Sequence, residues 1–204
     1  MYFKRFRETD KRNMDYRDID DVPTACESDQ IVDIVKRMID NNISVSTMES
    51  CTSGLIASMI TDTEGASAIF PGGYVTYAND TKSMAGVDAA IIKKYGVYSK
   101  ECAVVMATAA KKNLNTEIGI GITGTTGNLD PNNADSVQGQ AFFCIVAGTH
   151  IYCSEIREDV TNMSRHEIKL MYADKVFDGL SNVLDRYYSR KYGSEKETES
   201  EMER

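Results

Sequence analysis

The sequence contains no tryptophan, only three prolines and only two histidines in 204 residues. His150 and His166 stand in no H-x-x-H or H-E-x-x-H pattern and near no cysteine cluster with zinc spacing. A zinc site is therefore not expected, and a serine–histidine–aspartate triad finds little support. No segment reaches the roughly 20 consecutive apolar residues of a membrane span, and the N-terminus lacks the apolar core of a signal peptide. These absences predict a soluble protein that is not secreted.

Basic residues are in the minority, with 23 lysines and arginines against 31 aspartates and glutamates, giving a net charge of -8. Without a basic patch in its central region, the chain is not expected to bind nucleic acid, and an anionic nucleotide would need donors supplied by the site itself. The five cysteines form an odd set without a C-x-x-C pair, which favours a reduced, cytoplasmic compartment.

The composition, 42% hydrophobic and 26% charged, is typical of a globular domain. Residues 1–28 carry dense charge of both signs and few aliphatic side chains, which predicts a flexible charged extension. Residues 191–204 are rich in glutamate without apolar periodicity and are predicted to be a flexible acidic tail. The folded unit is expected to be a single domain over residues 29–190.

Helical and strand periodicities alternate along this domain. Helices are predicted after Ser28, after the turn at residues 49–54, over residues 99–114 and over residues 163–188, with strands between them. The segments QAFFCIVAG and HIYCSEIRE, joined at Gly148, predict an antiparallel hairpin. The pattern indicates an α/β fold, a three-layer α/β/α arrangement with a mixed sheet.

The segment M-E-S-C-T-S-G places Ser50 on a strand-to-helix turn, beside backbone N–H groups that have no partner within the helix. Such donors stabilise the charge that develops on a carbonyl under attack by a serine. The alternative is that Ser50 or Thr52 only caps the helix. The segment by itself leaves both interpretations open.

A serine nucleophile needs a base, and lysine is the remaining candidate once histidine is set aside. Lys82 follows a predicted strand end, and a lysine in a partly desolvated pocket loses its proton near neutral pH. The alternative is an ordinary solvated lysine.

Four segments follow one another along the chain: E-S-C-T-S-G, Y-V-T-Y-A-N-D-T-K, Y-G-V-Y-S and G-I-T-G. Together, over roughly residues 29–188, they resemble the CinA carboxy-terminal-domain family of nicotinamide-nucleotide amidases. The resemblance implies deamidation of nicotinamide mononucleotide to nicotinate mononucleotide and ammonia, with Ser50 as nucleophile and with Lys82 and Tyr77 in its activation. It implies no metal or organic cofactor, a small-molecule nucleotide as the partner, and a homo-oligomer.

The resemblance also implies a set of substrate-binding residues. Orientation of the site is assigned to Glu49 and Asn79, the anion-binding helix start to Thr52, Ser53 and Gly54, and the ligand-facing turn to Gly121, Thr123 and Gly124. Cys51 is included among the substrate-binding residues, and Arg165 is assigned to the phosphate, with an ordinary surface arginine as the alternative.

The sequence departs from the family pattern at two places. Ser53 stands where the family carries glycine, so a Cβ is expected to narrow the oxyanion pocket or to disallow a positive φ. Residues 125–136 replace a run rich in glycine and proline. There Asp130 or the pair Asn132 and Asn133 is expected either to bind a ribose hydroxyl or to form turns. The alternatives to the amidase are a non-catalytic nucleotide-binding module, an amidase for a related amide, and an oligomeric scaffold acting through the N-terminal extension.

Overall fold

The computed structural model describes the backbone of residues 15–18, 28–131, 133 and 136–202, and the side chains of residues 29–131, 133 and 136–186. Its strands are β1 (Asp15–Asp18), β2 (Val45–Glu49), β3 (Gly73–Val75), β4 (Ile118–Gly124), β5 (Gln140–Ala147) and β6 (His150–Arg157). They form one sheet in the order β1-β6-β5-β4-β2-β3. The pairs β1–β6, β2–β3 and β2–β4 are parallel, whereas β4–β5 and β5–β6 are antiparallel. The predicted mixed sheet is confirmed.

Six α-helices accompany the sheet within the described residues: α1 (Ser28–Asp40), α2 (Leu55–Thr61), α3 (Asn79–Met84), α4 (Ala89–Tyr95), α5 (Lys100–Leu114) and α6 (Arg165–Met202). The largest apolar cluster joins α1, α2 and α6 to one face of the sheet. Two further clusters join α4 and α5 to the opposite face. The three-layer α/β/α architecture predicted from the alternating periodicities is therefore confirmed.

Strand β4 is asymmetric across its two faces. Its isoleucines at 118, 120 and 122 pack into the largest cluster, while Gly119 and Gly121 face α5. A Cβ on Gly121 would lie 2.3 Å from the carbonyl oxygen of Ala103 on α5. The glycine expected to approach a ligand thus approaches a helix, and its missing side chain sets the separation between helix and sheet.

Gly121→Ala is expected to lower the free energy of unfolding by about 3 kcal/mol, because backbone atoms of α5 cannot move aside without repacking the layer. For a chain of this size the melting temperature would fall by roughly 6–12 °C. Gly127→Ala is the matched control, since its Cβ would meet Ile168 at an ordinary 3.6 Å. Equal melting temperatures for the two variants would contradict this account of the β4–α5 packing.

The hairpin β5–β6 turns at Gly148, which has a φ of 59°, and its antiparallel register is as predicted. That register places Cys144 directly opposite Cys153, and the two form a disulfide. The expectation that the cysteines are free thiols is wrong for this pair. Spacing along the chain carried no sign of it because the two residues meet only through the hairpin register. Cys26 lies outside the described residues.

The two ends of the chain differ from the sequence-based expectation where the structure describes them. Within the predicted extension, Asp15–Asp18 form β1 against β6, and the rest of residues 1–27 lies outside the described residues. In place of the predicted acidic tail, α6 continues to Met202. Its last part contains no proline and many glutamates and lysines, which are good helix formers. In the part of the chain that the structure describes, no helix is long and apolar enough to cross a membrane.

Candidate active site

A cavity of about 500 Å³ lies at the carboxyl ends of β2, β3 and β4. These three strands run parallel to one another, so their ends meet at one edge of the sheet, the usual ligand site of open α/β sheets. The volume is in the range of small-molecule sites. The side chains lining the cavity include Ser50, Cys51, Tyr77, Asn79, Asp80, Lys82, Val97, Tyr98, Leu129, Asp130, Asn133 and Arg165.

The cavity floor brings Ser50 and Lys82 together. The backbone N–H of Ser50 donates to the carbonyl of Ile122 on β4, at 3.1 Å, which anchors the turn after β2. Nζ of Lys82 lies 3.1 Å from Oγ of Ser50 and donates to the carbonyl oxygen of Thr76 at 2.6 Å. Ser50 is 5% exposed and Lys82 1%. A hydroxyl and an amine are therefore held in contact, away from bulk solvent.

Burial lowers the pKa of Lys82 below its ordinary value of 10.5, and only the neighbouring thiols of Cys102 and Cys51 act in the opposite direction. Among the described residues, neither of the ion pairs includes Lys82. The amine therefore lacks the carboxylate that would hold a buried lysine in its charged form. A neutral amine whose N–H is fixed on a carbonyl can direct its lone pair at a hydroxyl proton.

The carboxylate of Glu49 lies at the start of α2, where the sequence predicted that an anion of the ligand would bind. Its carboxylate is fully buried and accepts hydrogen bonds from the N–H groups of Gly54, Ile56 and Ala57, at 3.0, 3.1 and 2.9 Å. The hydroxyl of Thr52 donates to it at 2.7 Å. Five residues, 50–54, separate the end of β2 from the start of α2 at Leu55, and across this turn the helix start comes back to the Glu49 carboxylate. The start of α2 is therefore filled by an internal carboxylate.

Thr52, Ser53 and Gly54, later in that turn, do not contribute to the cavity. Thr52 is fully buried, while Ser53 is exposed and Gly54 half-buried, and the described lining includes none of these three. Ser53 adopts a φ of 55°. The serine thus adopts a left-handed conformation in spite of its Cβ, and it lies outside the described lining of the cavity.

The residues predicted to form a ligand-facing turn at the end of β4 differ in their roles. Thr123 is buried, and its hydroxyl donates to the carbonyl of Val97 at 2.9 Å, which ties β4 to the segment before α5. Gly124 lines the cavity, but a Cβ there would lie 2.5 Å from the backbone of Ala141 on β5. Close strand packing is thus sufficient to require glycine at this position.

Cys51 lines the cavity beside Ser50, and burial raises the pKa of its thiol to about 12. The backbone N–H groups of Cys51 and Thr52 reach this thiol and lower its pKa by a smaller amount. Cys51 is therefore a neutral thiol and not a competing nucleophile, and the N–H dipoles of the turn are directed at a cavity-lining atom.

Tyr77, Asn79 and Arg165 lie at the exposed rim of the cavity. Arg165, on the first turn of α6, donates to the hydroxyl of Tyr77 at 3.1 Å. Tyr77 is 62% exposed, so the structure brings it to Arg165, whereas the carbonyl of the preceding Thr76 holds Lys82. The rim presents a guanidinium that an anionic group of a ligand can reach.

Tyr98 and the loop after β4 line another part of the cavity. The hydroxyl of Tyr98 donates to Oδ2 of Asp130 at 2.6 Å, and the amide of Asn133 donates to the same oxygen. Neither Tyr98 nor Thr76 was assigned a role from the sequence. The available signal was membership of the segments Y-G-V-Y-S, for Tyr98, and Y-V-T-Y-A-N-D-T-K, for Thr76, which carried the family resemblance without assigning these two residues a role.

Comparison with known proteins gives a consistent result. The CinA C-terminal domain model matches residues 28–184. A protein of Acetivibrio thermocellus named for competence-damage induction is 36% identical over 144 residues, which are 70% of this chain and 34% of that protein. The protein MG115 of Mycoplasma genitalium is 30% identical over 154 residues, 75% of this chain and 96% of that protein. This chain thus spans about a third of the first relative and nearly all of the second.

Solved structures agree with these matches. The competence/damage inducible protein CihA of Agrobacterium tumefaciens has a TM-score of 0.67 at 27% identity, covering 80% of this chain and 99% of that one. The competence damage-inducible protein A of Klebsiella pneumoniae has a TM-score of 0.71 at 17% identity, covering 78% and 98%. Because the family model covers most of the chain, and the motif residues Ser50 and Lys82 meet in its cavity, this protein belongs to the CinA C-terminal domain family.

Proposed function

We propose that this protein is an amidohydrolase that converts nicotinamide mononucleotide to nicotinate mononucleotide and ammonia. The observation that carries the proposal is the buried contact of 3.1 Å between Lys82 Nζ and Ser50 Oγ, with Nζ also fixed on the Thr76 carbonyl. Nucleophile and base within hydrogen-bond reach, with the base oriented by a third group, is the arrangement that activates a serine. Membership of the family whose C-terminal domain the chain matches supports the choice of reaction.

In the proposed reaction, neutral Lys82 takes the proton of Ser50 as Oγ attacks the carboxamide carbon. The tetrahedral intermediate collapses when Lys82 returns this proton to the amide nitrogen, which leaves as ammonia and gives an acyl-enzyme on Ser50. Water then attacks the acyl carbon while Lys82 accepts its proton. The ester bond to Oγ breaks, the serine is reprotonated, and the carboxylate product leaves.

Stabilisation of the oxyanion is assigned to the backbone N–H groups of Cys51 and Thr52. The N–H of Ser50 is committed to Ile122, and the N–H groups at the start of α2 are committed to Glu49. The two intervening N–H groups reach the thiol of Cys51, a cavity-lining atom. Donors aimed at developing charge are worth about 2.7–4 kcal/mol each in serine hydrolases.

The nucleotide part of the substrate is assigned to the rim. Arg165 supplies a guanidinium group to the lining of the cavity and donates a hydrogen bond to Tyr77. No ion pair among the described residues includes Arg165. A phosphate group would receive its charge-assisted hydrogen bonds there. The amide then lies at the floor and the phosphate at the rim.

The test is ammonia release from nicotinamide mononucleotide by the purified protein. Ser50→Ala is expected to lower the rate by about 10³-fold or more, because no other group in the turn replaces the attacking oxygen. Ser58→Ala, an exposed serine on α2 outside the described lining, is the control and should retain the parent rate. A parent that binds the nucleotide without releasing ammonia would overturn the amidase in favour of a nucleotide-binding module.

A further inference from the structure

Tyr98 and Asp130 form a polar wall of the cavity that the chemistry of Ser50 and Lys82 does not use. Tyr98 donates to Oδ2 of Asp130 at 2.6 Å, and Asn133 donates to the same oxygen. The backbone N–H of Asp130 donates to Oγ of Ser136 at 3.0 Å, which fixes the loop that carries the carboxylate. Both Tyr98 and Asp130 are half-buried and line the cavity.

This arrangement determines what the Tyr98 hydroxyl can offer to a ligand. Its proton is committed to Asp130, so the phenolic oxygen has only lone pairs left to direct elsewhere. Burial and the hydrogen bond to Asp130 raise the pKa of Tyr98 above its ordinary value, so the phenol stays protonated and the arrangement persists. Toward the cavity, Tyr98 is therefore a hydrogen-bond acceptor.

The depth of the cavity indicates which part of a nucleotide meets this acceptor. The amide must lie at the buried floor, where its carbon is in reach of Ser50. Tyr98 is more exposed than the floor residues, and Asp130 follows Leu129, which is 63% exposed. A phosphate is disfavoured next to the Asp130 carboxylate and has Arg165 as its partner. The remaining hydrogen-bond donors of the nucleotide are its sugar hydroxyls.

We propose that Tyr98 is a specificity-determining residue that accepts a hydrogen bond from a ribose hydroxyl of the substrate, and that Asp130 is a positioning residue that acts through Tyr98. This inference rests on the proposed function. A site built around an acceptor discriminates against a ligand that lacks the matching donor, because the acceptor is then left buried and unpaired. The wall thus selects ribonucleotides over deoxyribonucleotides.

Equilibrium binding to the Ser50→Ala variant tests the inference without turnover. The ligands are nicotinamide mononucleotide and its 2′-deoxy and 3′-deoxy analogues, measured by titration calorimetry. In the Ser50→Ala background, one of the deoxy analogues is expected to bind roughly tenfold more weakly than the ribonucleotide. Adding Tyr98→Phe should weaken ribonucleotide binding by the same factor and abolish the difference between the ligands.

Two further variants separate this role from a structural one. Asp130→Ala frees the phenol to donate to the ligand, so the ratio between ribonucleotide and deoxy affinities should fall. A merely structural Asp130 would weaken all three ligands equally. Tyr95→Phe, on α4 outside the described lining, should leave the ratio unchanged. Equal affinities for the three ligands in the Ser50→Ala protein overturn the inference while ammonia release by the parent still upholds the amidase, and absence of all binding overturns both.

Discussion

Replacing Lys82 with methionine is expected to abolish ammonia release and, at neutral pH, to raise the melting temperature. The variant keeps the length and apolar stem of the side chain but removes the base. The rate is expected to fall by about 10³-fold or more, because Ser50 has no other base in contact among the described residues. Fluorescence-monitored melting and an ammonia assay on the same preparation measure both effects.

The gain in stability follows from the direction of the Lys82 pKa shift. Burial lowers this pKa in the folded protein, so between the lowered pKa and the ordinary value of 10.5 the unfolded chain binds more protons than the folded chain. Stability must then rise with pH in that window, and at neutral pH the buried amine is a cost. Methionine removes the cost and loses the two hydrogen bonds to Thr76 and Ser50, each worth about 1 kcal/mol. A net gain of 1 kcal/mol corresponds to roughly 2–4 °C.

The same shift sets the pH dependence of the parent enzyme. The reaction needs neutral Lys82, so the rate should rise with pH as the amine loses its proton, with a midpoint below 10.5. Lys111→Met is the matched control, because Lys111 also has a lowered pKa and also donates to a carbonyl, that of Thr116 at 3.0 Å, yet lies outside the described lining. Its rate should match the parent. A Lys82→Met protein that keeps a tenth of the parent rate would show that another base serves Ser50.

Replacing Glu49 with alanine is expected to cause the largest loss of stability among these variants. The change leaves three backbone N–H groups at the start of α2 and the hydroxyl of Thr52 without their acceptor, all at buried or half-buried positions. Removing one partner from a buried, charge-assisted set costs about 3–5 kcal/mol. Denaturant unfolding followed by circular dichroism measures the loss, and ammonia release should fall as well, because the same turn positions Ser50.

Glu64→Ala is the control for this prediction. Glu64 is exposed in the connection that follows α2, and surface substitutions of this kind change stability by at most about 0.5 kcal/mol. Glu49→Gln should fall between the two, because the amide keeps one acceptor oxygen but presents donors to donors. Equal unfolding free energies for Glu49→Ala and Glu64→Ala would contradict the role assigned to the buried carboxylate.

The layers of this fold were predictable from local periodicity. The alternation in β2, the long helix α5 and the hairpin turn at Gly148 are each determined within one segment, so the sequence carries them directly. The length of α6 was underestimated because an apolar stripe ends before the helix does. The disulfide was missed because hairpin register, which the spacing of Cys144 and Cys153 does not reveal, decides whether the two thiols meet.

Within the candidate site, the sequence indicated the arrangement of only those residues whose side chain has a single role. Ser50 and Lys82 were named from a turn, a strand end and the family resemblance, and the structure places them in contact. Glu49 was expected to orient the site, but its hydrogen bonds to the start of α2 depend on how residues 50–54 fold back, which the sequence pattern does not reveal. The hydroxyl of Tyr77 lies with Arg165 at the rim, and the contact with Lys82 comes from the main-chain carbonyl of the preceding residue, Thr76, which side-chain periodicity does not predict.

The group that orients Lys82 is a main-chain oxygen, and this affects how the site can vary. Every residue type has a main-chain carbonyl, so replacing the Thr76 side chain does not by itself remove the acceptor that holds Lys82. The backbone N–H of Thr76 is simultaneously bonded to the carbonyl of Glu49, at 2.8 Å, so the sheet ladder itself holds the carbonyl in place. The orientation of the base therefore depends on the backbone of the sheet and not on the chemistry of the side chain at position 76.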